Sequence, residues 1–470
     1  MKYIYLLLII SCFGCSDWLD VKPSDRIAED AAFSNLAGFK QALNGVYVEL
    51  NADALYGQTL TCEMTEILAQ RYDINQENTE AYAFMEFDYT GASVEARLEN
   101  TWGKAYNLIA NTNLILKNCE EHREVLSDEY YNLIKGETLG LRAMLHFDLF
   151  RLFGPVYSED STLSSIPYYK EFTLNSTSNV PANLFMDMVI SDLRQAETLL
   201  EEDPIITNGV AGNAADKFLQ KRNLRLNYYA VQALLSRAYL YVGQKDSALY
   251  YANKIIEIQE SKFPWVGRTE ALMGEAPNRI FSSEVIFALE NRNIGGVYSR
   301  YFDATTLKAK SLLGMRADVI EYRFDYEDNT DYRYAGSLKE TAVVGGVSYC
   351  VFNKFQVGDS SYYEMMPMLR VSEAYLNAAE ILMTEDPDQS NELLTVVREH
   401  RGLEGLYWDP EMSDIMGEWY REFIGEGQMF FFYKRNFADE MFSAREPYEG
   451  VSVTKTNYVL PIPDAENKYN

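Results

Sequence analysis

Aromatic side chains beside polar ones, in segments that lack helical periodicity, are the residues of this chain best suited to bind a ligand. A sugar presents an apolar C–H face that stacks on an aromatic ring and hydroxyls that need fixed polar partners. Three segments combine these features: residues 71–73 with Tyr82 and Tyr89, residues 262–265, and residues 291–301. The side chains that we expect to contact a ligand are Tyr72, Tyr82, Trp265, Arg292, Tyr298 and Tyr301.

Trp265 and Tyr298 are the strongest of these candidates. Pro264 directly precedes Trp265 and argues against a helical core position. The two glycines at 295–296 predict a hinged loop that holds Tyr298 near arginines. The competing interpretation is that each ring packs against the protein body. Trp102 begins an apolar stripe at helical spacing, so we expect it in the core.

Groups that would support catalysis or hold a cofactor are sparse. The three histidines form no metal-binding motif, and His146 lies in an apolar helical stripe, where a hydrogen-bonded core position is expected. Neither a Gly-x-Ser-x-Gly elbow nor a nucleotide-binding glycine motif occurs. The acidic run at 325–331 lacks the glycine and closing glutamate of a calcium loop, so we predict a solvated turn, with no metal and no cofactor.

The sequence neither identifies nor excludes a carboxylate pair for glycoside hydrolysis. Such a pair needs only a separation of about 5 to 9 Å. The chain has 70 Asp and Glu residues, and spacing along the sequence does not determine their separation in space.

The composition is that of a large folded protein with an acidic surface. Of 470 residues, 47% are hydrophobic and 24% are charged, so a large core is expected. Asp and Glu outnumber Lys and Arg by 70 to 42, and the formal charge of −28 argues against a nucleic-acid partner. Aromatic residues reach 14%, which is consistent with a surface that recognises flat apolar faces.

The first residues have the pattern of a secretory signal. A lysine, an apolar run and Gly14 precede Cys15, so we predict a signal peptide at 1–14 and, by resemblance to a bacterial lipobox, a lipidated Cys15. The alternative is an ordinary signal peptide cleaved nearby, with Cys15 incidental. Ser16 and Asp17 resemble the surface-export signal of Bacteroidetes lipoproteins. We expect membrane contact through the lipid anchor only, because no segment is long and apolar enough to cross a bilayer core.

Apolar residues at helical spacing predict a body of paired helices. Complete stripes occur at 371–382 and 231–242, and another ends at the helix-stopping pair Gly154-Pro155. Residues 228–258 carry large, small, aromatic, Gly and Ala residues where a tetratricopeptide repeat places them. The apolar run at 429–433 is predicted to be buried. Weaker helix pairs are predicted at 128–153 with 181–202, around 96–119, and around 369–401.

The segments without periodicity divide the chain further. We expect a tether at 15–30 and a single domain at 31–470. Irregular insertions interrupt that domain at about 50–95, 154–180, 203–226 and 260–368, where Gly, Ser, Asn and Pro are enriched. Insertions on a rigid scaffold are where ligand contacts are expected.

Several motifs follow one another along the chain: CSDWLDVKPSD at 15–25, the segment from Phe33 to Tyr47, LRAMLHFDLFRLFGP at 141–155, LRVSEAYLNAAE at 369–380, VREHRGL at 397–403 and YVLPIP at 458–463. These motifs, in this order, resemble the SusD/RagB family of outer-membrane nutrient-binding lipoproteins. The segment REFIGEGQMFFFYKRN at 421–436 departs from the family's usual C-terminal motif and indicates a distinct subgroup.

This resemblance implies a mainly α-helical fold with four tetratricopeptide-like helix pairs and loop and short-strand insertions that form the ligand face. It also implies an outer-membrane location facing the cell exterior, no catalytic activity, and a SusC-like TonB-dependent transporter as partner. The expected ligand is an oligosaccharide. The alternatives are a peptide on the same scaffold, a surface glycoside hydrolase, and a helical-repeat assembly protein without a small ligand.

Overall fold

The computed structural model describes residues 29–173, 175–274, 276–324, 330–358 and 360–467. The predicted signal peptide, Cys15, nearly all of the predicted tether and most of the acidic run at 325–331 lie outside the described residues. Within them, no helix is long and apolar enough to span a membrane.

Helices dominate the described chain, as the sequence predicted. They are α1 (Leu36–Leu50), α2 (Met64–Leu68), α3 (Thr79–Met85), α4 (Ala92–Glu121), α5 (Asp128–Phe153), α6 (Ala182–Leu199), α7 (Pro204–Asn208), α8 (Tyr228–Tyr241), α9 (Lys245–Lys262), α10 (Arg268–Leu272), α11 (Ile294–Tyr301), α12 (Ala317–Arg323), α13 (Tyr332–Ser337), α14 (Val371–Leu382), α15 (Pro387–Glu399), α16 (Met412–Glu422), α17 (Met429–Asn436), α18 (Lys455–Tyr458) and α19 (Asp464–Asn467).

Within the described part of the chain, the strands are short and pair in four antiparallel two-stranded ribbons. They are β1 (Ser164–Pro167) with β2 (Asn179–Pro181), β3 (Val285–Glu290) with β6 (Met365–Arg370), β4 (Thr341–Val344) with β5 (Val347–Cys350), and β7 (Glu440–Phe442) with β8 (Gly450–Ser452). The β3–β6 ribbon joins two distant parts of the chain and is almost fully buried. It leads directly into α14, so the ribbon connects an insertion to the helical body.

Helix pairs form the body, which confirms the predicted architecture. The long helices pack in succession as α1 with α4, α5 with α6, α8 with α9, and α14 with α15. In the α8–α9 pair the Ser236 hydroxyl donates to the carbonyl of Ala248 at 3.0 Å, and the rings of Tyr239 and Tyr251 stack at 5.8 Å. The small residues allow this close approach, which is the reason the tetratricopeptide pattern was readable from the sequence.

The main hydrophobic core of the described residues includes side chains from Phe33 to Leu460, and three smaller clusters lie beside it. The predicted core positions are confirmed: Trp102 is buried against Phe153, and the run at 429–433 is buried throughout. His146 is also buried. Its Nε2 accepts the Tyr169 amide at 3.1 Å and its Nδ1 lies 3.0 Å from the carbonyl of Arg142, so the ring is the neutral tautomer with Nδ1 protonated.

Charged side chains form a second, polar layer inside the molecule, here called the buried ionic network. It links α16 to β6, to α13 and to the residue before β3. Glu422 accepts hydrogen bonds from Arg333 at 2.9 Å, from Arg401 at 3.0 Å and from Arg370. The network comprises Glu284, Asp331, Arg333, Lys354, Arg370, Arg398, Arg401, Glu418, Arg421, Glu422 and Glu426.

Candidate functional site

A polar cleft of about 190 Å³ opens between the first insertion and the end of α11. Its floor is apolar and its walls carry charged and hydroxyl groups, the arrangement typical of a site that orients a ligand by a few polar contacts. The turn at 51–63, α2, α3, α4 and α11 each contribute to it. The cleft is lined by Glu63, Met64, Ile67, Asn78, Glu80, Ala81, Phe84, Arg97, Tyr301 and Leu313.

Arg97, from α4, is the central charged group of the cleft. Its Nε and Nη2 donate to one oxygen of Glu80 at 2.9 and 2.7 Å. Its Nη1 donates to Glu63 at 3.2 Å and to the Thr59 hydroxyl at 3.3 Å. Burial alone would lower the pKa of Arg97, but the charges of Glu63 and Glu80 outweigh it and raise the pKa. The guanidinium is therefore held in place by groups from two other elements.

Tyr301 supplies the aromatic wall. Gln58 bridges it to the acidic side, because its Nε2 amide donates to the Tyr301 oxygen at 2.9 Å and to Glu63 at 2.8 Å. Burial, followed by the charge of Glu63, raises the pKa of Tyr301 to about 12, so the hydroxyl keeps its proton at neutral pH. The Arg300 side chain also hydrogen-bonds to Tyr301, so the hydroxyl oxygen accepts from two neighbours and its own proton can be donated to a ligand.

Arg300 extends the polar wall to the surface. Its Nη1 donates to the side-chain oxygen of Gln58 at 3.0 Å and to Asp53 at 3.3 Å. The Arg300 side chain is 49% exposed, whereas that of Arg97 is 24% exposed. The cleft thus has one guanidinium near its floor and one at its rim.

Two of the six sequence-predicted site residues do not offer an exposed ring, so that expectation is wrong for Tyr72 and Tyr298. Tyr72 is fully buried, with its hydroxyl donating to the carbonyl of Cys62 at 2.9 Å. Tyr298 is also buried, because residues 294–301 form helix α11 instead of a glycine-hinged loop, and Val297 and Tyr298 occupy its inner face. A helix brings residues three and four positions apart to the same face, so Ile294, Val297 and Tyr298 all turn towards the body.

The other predicted residues are distributed over the surface. Tyr301 lines the cleft, and Tyr82 is half-buried on α3, beside Arg445. Trp265 is half-buried because its ring stacks on His400, with ring centres 4.8 Å apart, so it packs against the body. Arg292 is exposed and pairs with Glu290 at 3.3 Å. The six residues therefore do not form one site.

Sequence reasoning missed the polar partners of Tyr301. Arg97 lies in the segment predicted to be helical around 96–119, and Glu80 lies in the predicted insertion at about 50–95, where the structure forms α3. Gln58 and Glu63 lie in the same predicted insertion, in a turn without a recognisable motif. A signal was present only for Arg300, which neighbours Tyr301 inside the segment at 291–301.

A larger groove of about 1090 Å³ lies against the C-terminal segment. Leu98, Phe153 and Leu460 give it an apolar floor, and Glu95 and Lys455 are among its charged residues. Tyr89, from the first predicted segment, also lines it, but its hydroxyl is engaged with the carbonyl of Asn457 at 2.7 Å. Outside both cavities, Tyr407 and Trp408 form an exposed aromatic pair between α15 and α16.

No cluster of metal-ligating side chains is found among the described residues. Of the acidic run at 325–331, Thr330 and Asp331 are described, and Asp331 pairs with Arg333 in the buried ionic network.

Two family profiles match the chain. One, described as starch-binding and associating with the outer membrane, matches residues 17–240. The other, described as the SusD family, matches residues 301–470.

A curated relative and several solved structures are also similar. The SusD-like protein P25 of Formosa agariphila is 23% identical over 295 residues, which cover 61% of this chain and 51% of that protein, so the match spans about half of the relative's length. A SusD superfamily protein of Bacteroides thetaiotaomicron has a TM-score of 0.72 at 22% identity, covering 93% of this chain and 98% of the other.

A structure with a bound ligand is among these neighbours. Surface glycan-binding protein A of Bacteroides thetaiotaomicron, in complex with laminarihexaose, has a TM-score of 0.65 at 15% identity, covering 92% of this chain and 97% of the other. The paired-helix body, the motif order along the sequence and the two profile matches agree with one another, and the chain belongs to the SusD/RagB family.

Proposed function

We propose that this protein is a cell-surface lipoprotein that binds an oligosaccharide in the polar cleft and delivers it to a TonB-dependent outer-membrane transporter, without making or breaking a bond. The observation that carries the proposal is the convergence of Tyr301, Arg97 and Glu63 over an apolar floor. A similarly folded protein that holds laminarihexaose supports an oligosaccharide as the ligand. Residues 31–470 would act as one binding domain.

The cleft has the two kinds of contact that a sugar needs. The partly exposed Tyr301 ring offers an apolar face to C–H groups, above a floor formed by the buried Met64, Ile67 and Phe84. The Tyr301 hydroxyl donates a hydrogen bond to a ring hydroxyl of the sugar. The carboxylates of Glu63 and Glu80 accept hydrogen bonds from other ring hydroxyls. At about 190 Å³ the cleft is smaller than the roughly 300–1,000 Å³ of drug-sized sites, so it would take one end of an oligomer while the remainder lies along the surface.

Isothermal titration of the purified protein against separate pools of oligosaccharides and peptides tests the ligand class. We expect heat from the oligosaccharide pool, and loss of most of that heat in Arg97→Ala, because the variant leaves Glu63 and Glu80 without their shared cation. The matched control is Arg292→Ala, which removes an exposed arginine outside the cleft. Heat from peptides alone would replace the oligosaccharide with a peptide on the same scaffold.

Catalysis is tested in the same preparation. Incubation with polysaccharides should release no reducing ends above the level of a buffer control. Sustained release would contradict a binding protein and indicate a surface glycoside hydrolase.

The anchor and the partner are proposed from the N-terminal segment and the family. Cys15 would carry the lipid, and Ser16 with Asp17 would direct the protein to the outer face. Replacing Cys15 with Ala should move the protein from the outer-membrane fraction to the soluble fraction, with surface protease sensitivity as the second readout.

The native lipoprotein, solubilised in mild detergent, should co-purify with a large outer-membrane barrel, and recovery without one would contradict the delivery step.

A further inference from the structure

The arginines of the cleft are already occupied by carboxylates of the protein. Glu80 takes both the Nε and the Nη2 donors of Arg97, at 2.9 and 2.7 Å, and Glu63 takes Nη1 at 3.2 Å. Arg300 at the rim is paired with Asp53 at 3.3 Å. A guanidinium fork is the group that proteins commonly use to bind a ligand carboxylate or sulfate. In this cleft the carboxylates of the protein itself occupy the guanidinium groups.

The charge balance of the cleft is negative. Three carboxylates, those of Asp53, Glu63 and Glu80, face the two guanidinium groups of Arg97 and Arg300, which leaves one net negative charge. The whole chain carries a formal charge of −28, so the long-range field has the same sign. An anionic ligand would therefore meet repulsion on approach and would have to displace a carboxylate on arrival.

We propose that the cleft selects uncharged oligosaccharides and rejects acidic ones, such as those built from uronic acids, and that Glu80 and Glu63 are the residues that set this specificity. The inference rests on the proposed function, because it assumes that an oligosaccharide enters the cleft. Neutral ring hydroxyls can donate to these carboxylates without separating them from Arg97, since each carboxylate oxygen accepts more than one hydrogen bond. A uronate carboxylate has no proton to donate, and both described arginines at the cleft, Arg97 and Arg300, already have carboxylate partners.

The specificity should be reversible by changing charge with little change in shape. Glu80→Gln keeps the side-chain size and removes one negative charge, which brings the cleft to neutrality. Glu63→Gln with Glu80→Gln gives it one net positive charge and frees the Arg97 guanidinium. Glu392→Gln is the control matched to Glu80→Gln, because it removes one negative charge from an exposed position on α15, a helix that contributes no lining residue to the cleft.

The experiment uses one pool of neutral oligosaccharides of glucose, mannose and galactose, and a second portion of that pool whose primary alcohols have been oxidised to carboxylates. Both are titrated calorimetrically into the purified protein at low and at physiological salt. We expect the unaltered protein to bind the neutral pool at least about tenfold more tightly than the oxidised pool. We expect the double variant to bind the oxidised pool at least about tenfold more tightly than the unaltered protein does, and the control to behave like the unaltered protein.

The outcomes separate this inference from the function on which it rests. Equal or tighter binding of the oxidised pool by the unaltered protein would overturn the charge selection and leave the proposed oligosaccharide function intact. A gain in Glu392→Gln as large as in Glu80→Gln would also overturn it, because the two variants remove the same charge and the effect would then come from overall charge. Binding of neither pool would overturn the proposed function and this inference with it. The thermal midpoint of each variant, measured in the same buffer, shows that it is folded.

Discussion

The buried ionic network and the polar cleft are built from the same residue types and differ in their access to water. In the network the side chains of Arg401, Glu284 and Glu422 are fully buried. In the cleft the side chains of Arg97 and Glu80 are 24% and 31% exposed. A fully buried pair stabilises the folded state only while all its partners are present, whereas a partly exposed pair contributes little to stability and leaves its carboxylates open to further hydrogen bonds.

Glu422→Ala should have the largest effect, because it removes the carboxylate that Arg333, Arg370 and Arg401 share. Three buried cations would lose a partner, so we expect the free energy of unfolding to fall by about 3–5 kcal/mol in urea denaturation. The cleft counterpart, Glu80→Ala, should cost less than about 1 kcal/mol. Equal losses in the two variants would remove the distinction between the regions.

Acid should lower the free energy of unfolding by protonating the carboxylates of the buried ionic network. Burial alone would raise the pKa of Glu418, but the guanidinium groups of Arg333 and Arg421 outweigh it and lower the pKa to about 2 from its usual 4.5. A carboxylate whose pKa is lower in the folded state contributes stability above about pH 4.5 that is lost as the pH falls towards 2.

The measurement is the urea midpoint between pH 5 and the lowest pH at which the protein stays folded. The slope of stability against pH should be reduced in Glu418→Gln and unchanged in Glu392→Gln. Glu422, whose pKa the arginines around it also lower against the opposing effect of burial, should account for much of the remaining slope. If the slope of stability against pH were the same in Glu418→Gln as in the unaltered protein, protonation of Glu418 would not be a cause of the acid destabilisation.

The tyrosine pair Tyr301 and Tyr72 should separate binding from stability. Tyr301→Phe removes a hydroxyl available to a ligand, so affinity should fall by roughly 2- to 10-fold with little change in the unfolding midpoint. Tyr72→Phe removes a hydroxyl that is buried on the Cys62 carbonyl, so it should lower stability by about 1 kcal/mol and leave affinity unchanged. Loss of affinity in Tyr72→Phe alone would place the ligand away from the cleft.

Arg292→Ala should have the smallest effect. The Arg292 side chain is 78% exposed and its one recorded ion pair among the described residues is with Glu290, two positions away. Such surface pairs contribute little, so we expect changes within about 0.5 kcal/mol in stability and no change in titration heat. A clear loss of affinity would extend the binding surface to the start of α11.

The helical body could be predicted from the sequence, whereas the candidate cleft could be predicted only in part. The stripes at 231–242 and 371–382 became α8 and α14, because a period of 3.6 residues is a local property that burial enforces along one face. The glycines at 295–296 were a misleading signal. They lie in the first turn of α11, where packing of Ile294, Val297 and Tyr298 into the core outweighs the low helix propensity of glycine.

The sequence by itself determined the family, the paired helices and the buried positions of the apolar stripes, since motif order and apolar spacing are properties of neighbouring residues. Only the tertiary structure decided which polar groups meet. Gln58 and Tyr301 are 243 positions apart, and Arg97 and Glu80 come from different helices. Contacts of this kind depend on how whole elements pack, and no local period or spacing records that packing.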